Sequence, residues 1–402
     1  MTLSALKSSN FRTYVLGAIF SLLAIWMQRV TIGWVAWDMT GSSSFVGLVA
    51  LVQFAPSIVL SPLFGVWVDR LDVKRAMFVV QLVNCLVMFA FYLVYIAGAL
   101  NQNFMIGLTA ISGIALAANH PMRMSLTPRL VPREMVASVV TITAINFNLA
   151  RTLGPAIGGV LIGSIGVSYA LLIQAILFLP FLFALSLLEV RPSRVAHSEP
   201  EPFFQSLRNG FVHAVHNNII CRAMVIGGTL AVVGRGTLEI LPPLADGVFN
   251  WGPEGLGALM TAAGLGAVTS GFFKAVLPPQ RRGHIPPLTI GAVVLGLALV
   301  TALGSAATRS HAITIVAVIS FIMTLSGISM QTAIQMELED DMRGRVMSLW
   351  AVVVAGGSAI GAWMLGMFAD NLGYRESLHW AGIIAVTGLI IYLLVYRRQI
   401  RR

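Results

Sequence analysis

The chain has 402 residues, of which 57% are hydrophobic and only 10% are charged, and its mean hydropathy is +0.84. Soluble globular domains carry about 25% charged residues, so this composition excludes a soluble protein. The net charge of +10 does not indicate a nucleic-acid partner, because the basic residues lie in short segments between apolar runs. The composition therefore predicts an all-α membrane protein that crosses the bilayer several times.

Apolar runs divide the chain into twelve predicted spans, since crossing the bilayer core takes about 20 apolar residues. The first six runs are 12–38, 44–66, 75–98, 103–126, 135–163 and 167–188. The last six are 219–245, 254–277, 286–307, 311–336, 345–369 and 376–396. A polar stretch lies between the two sets. We predict an N-terminal six-helix bundle at 1–188, a cytoplasmic linker at 189–218 and a C-terminal six-helix bundle at 219–402.

Basic residues predict the orientation of these spans. Most of the 26 Lys and Arg residues fall on one side when the connections are assigned alternately to the two faces of the membrane. Positive residues stay in the cytoplasm. We therefore predict that both termini are cytoplasmic and that the membrane is a bacterial-type inner membrane.

Catalytic and metal-binding motifs are not evident in the sequence. Cys85 and Cys221 lie in or beside apolar runs, without the Cys or His spacing of a metal site. The sequence has no phosphate-binding loop for ATP. We therefore expect no metal, no cofactor, no nucleic-acid partner and no enzymatic activity.

The short segment between the second and third runs concentrates charge. It reads Gly65-Val-Trp-Val-Asp69-Arg70-Leu-Asp-Val-Lys74-Arg75. This pattern resembles the signature loop between the second and third helices of the major facilitator superfamily, although Asp72-Val73 stands where that family usually has Gly-Arg. The resemblance implies two pseudo-symmetric six-helix bundles, with transport by alternating access. It also implies that Asp69 lies beneath the start of the eleventh span, and that five residues act in gating: Gly65, Asp69, Arg70, Lys74 and Arg75.

The fifth run places small residues along one helix face, which lets helix backbones approach closely in lipid. It contains Arg151, Gly154, Pro155, Gly158 and Gly159. The Gly-Pro-x-x-Gly-Gly pattern resembles a motif of exporters that work by proton exchange, and the resemblance assigns these five residues to gating. Ordinary close packing is the alternative interpretation.

Further segments resemble one branch of the superfamily. Asn119-His120-Pro121-Met122-Arg123 ends the fourth run, and Asn10-Phe11-Arg12 and Met39-Thr40-Gly41-Ser42 flank the first. Together they are similar to the branch that contains the enterobactin exporter and macrolide efflux proteins. We expect Pro121 to break the fourth helix near the cytoplasmic interface. Arg123 is then expected either to extend to the lipid headgroups or to act in gating.

The two halves repeat each other at an offset of 206 to 207 residues. Arg29-x-Thr31 matches Arg235-x-Thr237. The glycine matches are Gly154 with Gly361, Gly159 with Gly366, and Gly166 with Gly373. Parallel six-helix repeats with a substrate site near the bilayer midplane are typical of this superfamily.

Arginines inside the spans are the candidate cargo contacts, because each costs about 2.5 to 3.5 kcal/mol at the bilayer centre on insertion scales. Arg29 and Arg235, with Trp34 of the first span, are predicted to bind the cargo. Glu239, one turn after Arg235, and Asp38 are the predicted proton-coupling residues. The alternative is that the arginines are structural and form ion pairs or bind carbonyl groups.

These patterns together predict a monomeric secondary transporter that exports a small, siderophore-like or drug-like organic molecule in exchange for protons. The excess of positive charge at membrane depth favours an anionic or acceptor-rich cargo. Membrane lipids are the other expected partners. An importer or lysophospholipid flippase of the same fold is the alternative, followed by a membrane sensor that does not transport.

Overall fold

The computed structural model describes residues 4–67, 71–191, 203–278 and 280–400. All regular structure in these residues is helical. The helices are α1 (Ser9–Thr40), α2 (Ser43–Trp67), α3 (Val73–Ile96), α4 (Gln102–Leu126), α5 (Val136–Leu177), α6 (Leu179–Leu187), α7 (Phe203–His216), α8 (Asn218–Leu230), α9 (Gly236–Glu239), α10 (Gly252–Val276), α11 (Pro287–Gly304), α12 (Arg309–Glu337), α13 (Asp340–Leu372) and α14 (Tyr374–Ile400). Short 3₁₀ turns cover Ser4–Lys7, Thr127–Leu130 and Arg133–Met135, and π-helical segments cover Ala231–Arg235 and Pro243–Val248.

Eleven helical stretches of the described chain are long and apolar enough to cross a membrane. One of them, Arg133–Leu187, has 55 residues and contains the predicted fifth and sixth spans. The backbone leaves the helical conformation inside it at Gly166, with φ 85° and ψ 166°. Counting the two sides of Gly166 separately gives the twelve predicted spans, so the protein is a multi-pass membrane protein.

The internal repeat is visible in the backbone. Gly373, which matches Gly166 in sequence, also has a positive φ of 89° and lies between α13 and α14. Only glycine adopts such angles without strain. Thr31 and Thr237 are both fully buried, and each donates its hydroxyl to the carbonyl oxygen four residues earlier, at 3.3 and 2.7 Å. The predicted pseudo-symmetry of the two halves is confirmed at these positions.

The chain folds into two compact units. The first contains Met1–Met39 and Val52–Pro200, and the second contains Thr40–Leu51 and Glu201–Arg402. Helix α2 is therefore shared, because its first turns belong to the second unit and the remainder belongs to the first.

A buried arginine lies inside the first unit. Helix α4 continues through Pro121 to Leu126, and the side chain of Arg123 is only 8% exposed. Its guanidinium group donates to Asn119 Oδ1 at 2.6 Å and to Ser21 Oγ at 2.7 Å. The expected break at Pro121 and the extension of Arg123 to the headgroups are therefore wrong. The polar side chains inside the unit satisfy the guanidinium instead.

The seventh predicted span is present but irregular. Helix α8 passes into the π-helical segment Ala231–Arg235, then into the single turn of α9, and a second π-helical segment follows at Pro243–Val248. Helix α13 packs against this region through Gly361, where a Cβ atom would lie 2.6 Å from the carbonyl carbon of Val232. Close backbone contact thus holds the irregular span in place.

The predicted linker contains a helix that the apolar runs do not indicate. Helix α7 lies within residues 189–218, and its Gly210 and Ala214 are buried. A Cβ atom at Gly210 would lie 3.2 Å from the backbone of Arg345 at the start of α13. Within the second unit, α7 therefore packs against the start of α13.

Candidate functional site

Arg29 in α1 lies between two aromatic rings. Its guanidinium carbon is 4.8 Å from the ring centroid of Trp26 and 4.3 Å from that of Phe54. Both distances fall within the cation–π range of about 6 Å. The spacing of three residues places Trp26 on the same face of α1 as Arg29. The rings stabilise a charge that the bilayer would otherwise disfavour.

Arg151 in α5 is the second arginine of this region, and the charge of Arg29 acts on it. Helix α5 approaches α1 through its glycines. A Cβ atom at Gly154 would lie 2.5 Å from the Cβ of Trp26, and one at Gly158 would lie 3.2 Å from the carbonyl oxygen of the next residue of α1. The predicted small-residue face is therefore a packing face. We call Arg29, Arg151, Trp26 and Phe54 the arginine pair site.

The other motif residues of the fifth span lie in the same helix. Pro155 is inside α5, whose only non-helical residue is Gly166, and Gly159 is buried. Their role in gating remains a prediction.

Two further residues of α1 were predicted to have functional roles, Trp34 in binding the cargo and Asp38 in proton coupling. Trp34 is 5% exposed, and five positions along a helix turn it about 140° away from Arg29 around the axis. Asp38 is exposed near the end of α1, where its charge acts on Tyr95 of α3. Trp34 therefore faces a different side of α1 from the arginine pair site.

Arg235 and Glu239 lie in the irregular seventh span, and both are half-buried. Arg235 ends the first π-helical segment and Glu239 ends α9. Ser358 of α13 donates its hydroxyl to Glu239 Oε1 at 3.4 Å. π-Helical turns are rare and frequently occur at functional sites. The predicted pairing of Arg235 with Glu239 stays a prediction.

The predicted gating loop is described in part. Asp69 and Arg70 lie outside the described residues, and Gly65 lies in the last turn of α2. The gating roles of these three residues remain predictions.

Asp72, where this chain departs from the family pattern, begins α3. Its carboxylate accepts the backbone N–H groups of Lys74 and Arg75 at 3.1 and 3.2 Å, which is an N-cap. Lys74 Nζ donates to the carbonyl oxygens of Ser186 and Leu188 at 3.0 and 2.7 Å. The Asp72 cap fixes the start of α3, and Lys74 binds the carboxyl end of α6.

Asp370 is a site residue that no motif of the sequence indicates. Its carboxylate accepts the hydroxyl of Ser42 at 2.7 Å and the backbone N–H groups of Ser43 and Ser44 at 2.7 and 3.0 Å. The acid and the three serines all belong to the second unit. The carboxylate of α13 therefore caps the N-terminus of α2. The serine run at Ser42–Ser44 is a sequence signal for a cap, but nothing local identifies so distant an acid.

The full sequence resembles one family of transporters. Residues 1–401 match the family described as transmembrane secretion effector. The enterobactin exporter EntS of Shigella boydii serotype 4 (strain Sb227) is 26% identical over 421 residues, covering 100% of this chain and 96% of that protein. The staphyloferrin A transporter of Staphylococcus aureus (strain NCTC 8325 / PS 47) is 22% identical over 395 residues, covering 94% of each.

Solved structures of transporters have the same fold. The nucleoside transporter NupG has a TM-score of 0.74 at 13% identity, covering 96% of this chain and 99% of NupG. A bacterial homologue of the human lysosomal transporter Spinster, inward-facing and unoccupied, has a TM-score of 0.69 at 16% identity, with 96% coverage of each chain. The chain thus belongs to the transmembrane secretion effector family of the major facilitator superfamily, and it is a membrane transporter, not an enzyme.

Proposed function

We propose that the protein exports a siderophore-like molecule with anionic or acceptor-rich groups across the inner membrane. Transport proceeds by alternating access in exchange for protons, and the protein acts as a monomer with both termini in the cytoplasm. The similarity of the chain to the enterobactin exporter and the staphyloferrin A transporter supports the cargo class. The distribution of basic residues along the chain supports the orientation.

The arginine pair site is the observation that carries this proposal. Two like charges, on Arg29 and Arg151, lie in membrane-spanning helices that pack against each other, and the charge of Arg29 acts on Arg151. Their repulsion is strong where water is scarce, and an anion between them would reverse it. Each guanidinium group also presents planar donors that match a carboxylate or a catecholate.

The experiment measures uptake into inside-out proteoliposomes of the purified protein with an imposed pH gradient. The probes are a tri-catechol siderophore, a hydroxycarboxylate siderophore and a lipophilic cationic dye. We expect the siderophores to accumulate and the dye to be excluded. Arg29→Gln and Arg151→Gln should each lower the apparent affinity about tenfold or more, because a hydrogen bond to a charged group contributes roughly 1.5 to 3 kcal/mol.

Arg309→Gln is the matched control. Arg309 also lies over a tryptophan ring, 5.2 Å from the centroid of Trp251, but it is exposed at the start of α12. Equal transport of the cationic dye, or unchanged siderophore uptake in Arg29→Gln, would contradict the proposal. Movement of a labelled lysophospholipid instead would indicate the flippase, and accumulation in the opposite direction would indicate an importer.

A further inference from the structure

Polar side chains at membrane depth share one face of α5. They are Thr141, Asn148, Arg151 and Thr152, and helical geometry places all four within about 100° of one another around the axis. Thr141 and Asn148 are exposed, and Arg151 and Thr152 are half-buried. The sequence of α5 contains no Asp or Glu. We call these four residues the polar face of α5.

A different face of the same helix is apolar and exposed. Leu149, Leu153 and Ile157 are 46%, 42% and 38% exposed, and their mean direction lies about 140° from that of the polar face. Lipid is the natural environment of this apolar face. Polar side chains within membrane spans face the protein interior or a water-filled cavity. Because the polar face is exposed on a different side from the apolar one, water is its natural environment.

The polar face lies beside the contact between α5 and α1. The rings of Phe147 and Trp26 meet edge to face, with their centroids 5.8 Å apart, and Gly154 packs on the Cβ of Trp26. Arg151 follows Phe147 by four residues and precedes Gly154 by three, so it lies on the side of α5 that faces α1. Asn148 is one turn before Arg151. It therefore borders the arginine pair site.

Asn148 presents a hydrogen-bond acceptor on this face. Its Nδ2 donates to the carbonyl oxygen of Ala144 at 2.8 Å. The reverse orientation of the amide would bring two acceptor oxygens together, so Oδ1 is the atom left for another partner. Within the described chain, the bond to Ala144 is the only hydrogen bond of this side chain. Arginines only donate hydrogen bonds, whereas Oδ1 accepts one.

We propose that the polar face of α5 lines a water-filled route to the arginine pair site, and that Asn148 Oδ1 accepts a hydrogen bond from the cargo. This inference rests on the proposed function, in which Arg29 and Arg151 bind the anionic group of the cargo. It narrows the cargo to molecules with an O–H or N–H donor about 5 to 6 Å from that group, the separation of side chains one turn apart. Hydroxycarboxylates and catechol amides carry such donors.

Thiol labelling in proteoliposomes tests the route. Cys85→Ser and Cys221→Ser first remove the native thiols. Asn148→Cys and Leu149→Cys are then treated with a charged, membrane-impermeant methanethiosulfonate reagent on both sides of the membrane. Asn148→Cys should react about tenfold faster or more, because the reagent and the reactive thiolate both require water. Equal rates in the two variants would overturn the route, and this readout does not depend on the cargo.

Uptake measurements test the hydrogen bond. The probes are a hydroxycarboxylate siderophore and the same compound with its hydroxyl group methylated. Asn148→Leu should weaken the apparent affinity for the unmodified siderophore about three- to tenfold, the loss expected for one neutral hydrogen bond. It should leave the affinity for the methylated compound unchanged, because that compound has no hydroxyl proton to donate.

Asn371→Leu is the matched control. Asn371 is also exposed, and its Nδ2 donates to the carbonyl oxygen of Met367, four residues earlier, at 2.7 Å. It lies in α13 of the second unit, away from the polar face of α5. Its substitution should leave the affinity for both probes unchanged.

Three results of the uptake measurements would overturn the role of Asn148. Equal losses for the two probes in Asn148→Leu would show that the cargo hydroxyl does not bind there. Unchanged affinity in Asn148→Leu, together with impaired uptake in Arg29→Gln, would remove Asn148 from the site and leave the proposed function standing. If the wild type accumulates neither probe, the proposed function fails and the cargo contact fails with it, while the labelling rates still decide the route.

Discussion

Glu239 is a half-buried carboxylate in a span that is irregular on both sides of it. We predict that Glu239→Gln abolishes efflux driven by a pH gradient while counterflow exchange of cargo survives. The physical reason is that glutamine keeps the size and the acceptor for Ser358 but cannot bind or release a proton. Paired flux measurements in proteoliposomes, one with a pH gradient and one with cargo on both sides, separate the two activities.

Glu254→Gln is the matched control for that prediction, because Glu254 is exposed in the first turn of α10. It should behave as the wild type in both measurements. If Glu239→Gln loses exchange, efflux and folded yield together, Glu239 only neutralises a neighbouring charge and the proton is carried elsewhere.

Arg123 shows why individual charged residues are difficult to interpret from the sequence alone. Its partners Tyr14 and Ser21 come from α1, about a hundred positions away along the chain, and its guanidinium carbon lies 4.7 Å from the ring centroid of Phe181 in α6. All these partners are neutral. Local sequence around Pro121 indicated a broken helix, but surrounding groups allow proline inside membrane helices. The tertiary contacts outweighed the local signal.

The start of α2 depends on a carboxylate from another helix, Asp370 of α13. Asp370→Ala should lower the free energy of unfolding by about 0.5 to 2 kcal/mol, the range for loss of an N-cap. It should also speed hydrogen exchange at the amides of Ser43 and Ser44. Asp370→Asn should have a smaller effect, because the amide oxygen still accepts one hydrogen bond.

The melting temperature and peptide-level hydrogen exchange check this prediction. Glu376→Gln is a suitable control, since Glu376 is an exposed acid in the first turn of the neighbouring α14. Unchanged exchange at Ser42–Ser44 in Asp370→Ala would mean that packing alone holds the start of α2.

Gly361 in α13 permits close contact with the backbone of the irregular seventh span. Gly361→Ala should destabilise the protein by about 1 to 3 kcal/mol, the usual cost of overpacking. The reason is that the new methyl group would meet the backbone of Val232, which cannot move aside as a side chain does. Thermal unfolding in detergent and the yield of monodisperse protein measure the effect.

Gly388→Ala is the matched control within α14, because no atom lies within 4 Å of its added methyl group. Alanine is the better helix former by about 0.5 to 1 kcal/mol, so this variant should be neutral or more stable. Equal behaviour of the two variants would contradict the role of close backbone contact.

Across the whole molecule, the sequence predicted the features that the bilayer imposes on a membrane protein. Each span must be apolar for about 20 residues, and the runs therefore mark the helices closely: the predicted fourth span, 103–126, is α4, Gln102–Leu126. The repeated glycines predicted the pseudo-symmetry, because positive φ at Gly166 and Gly373 requires that residue type.

The remaining features depend on contacts between distant parts of the chain, which no local pattern encodes. The Asp370 cap joins residues that are 326 to 328 positions apart. The interaction of Arg151 with Arg29 requires knowledge of how α5 packs on α1. Helix α7 is too short and too polar to be predicted as a span. Its packing against α13 cannot be deduced from the sequence around it.

The π-helical segment Pro243–Val248 makes the second half of the molecule differ from the first in its backbone. Arg29 and Arg235 match at an offset of 206 residues, whereas Gly154 and Gly361 match at 207, so the second half has one more residue between its matched sites. In α1, the counterpart in the first half, every residue is α-helical. Each residue of an α-helix turns the chain by about 100°, so a π-helical turn changes the direction of the side chains that follow it. Two halves of matching sequence can therefore offer two unlike surfaces to one asymmetric cargo.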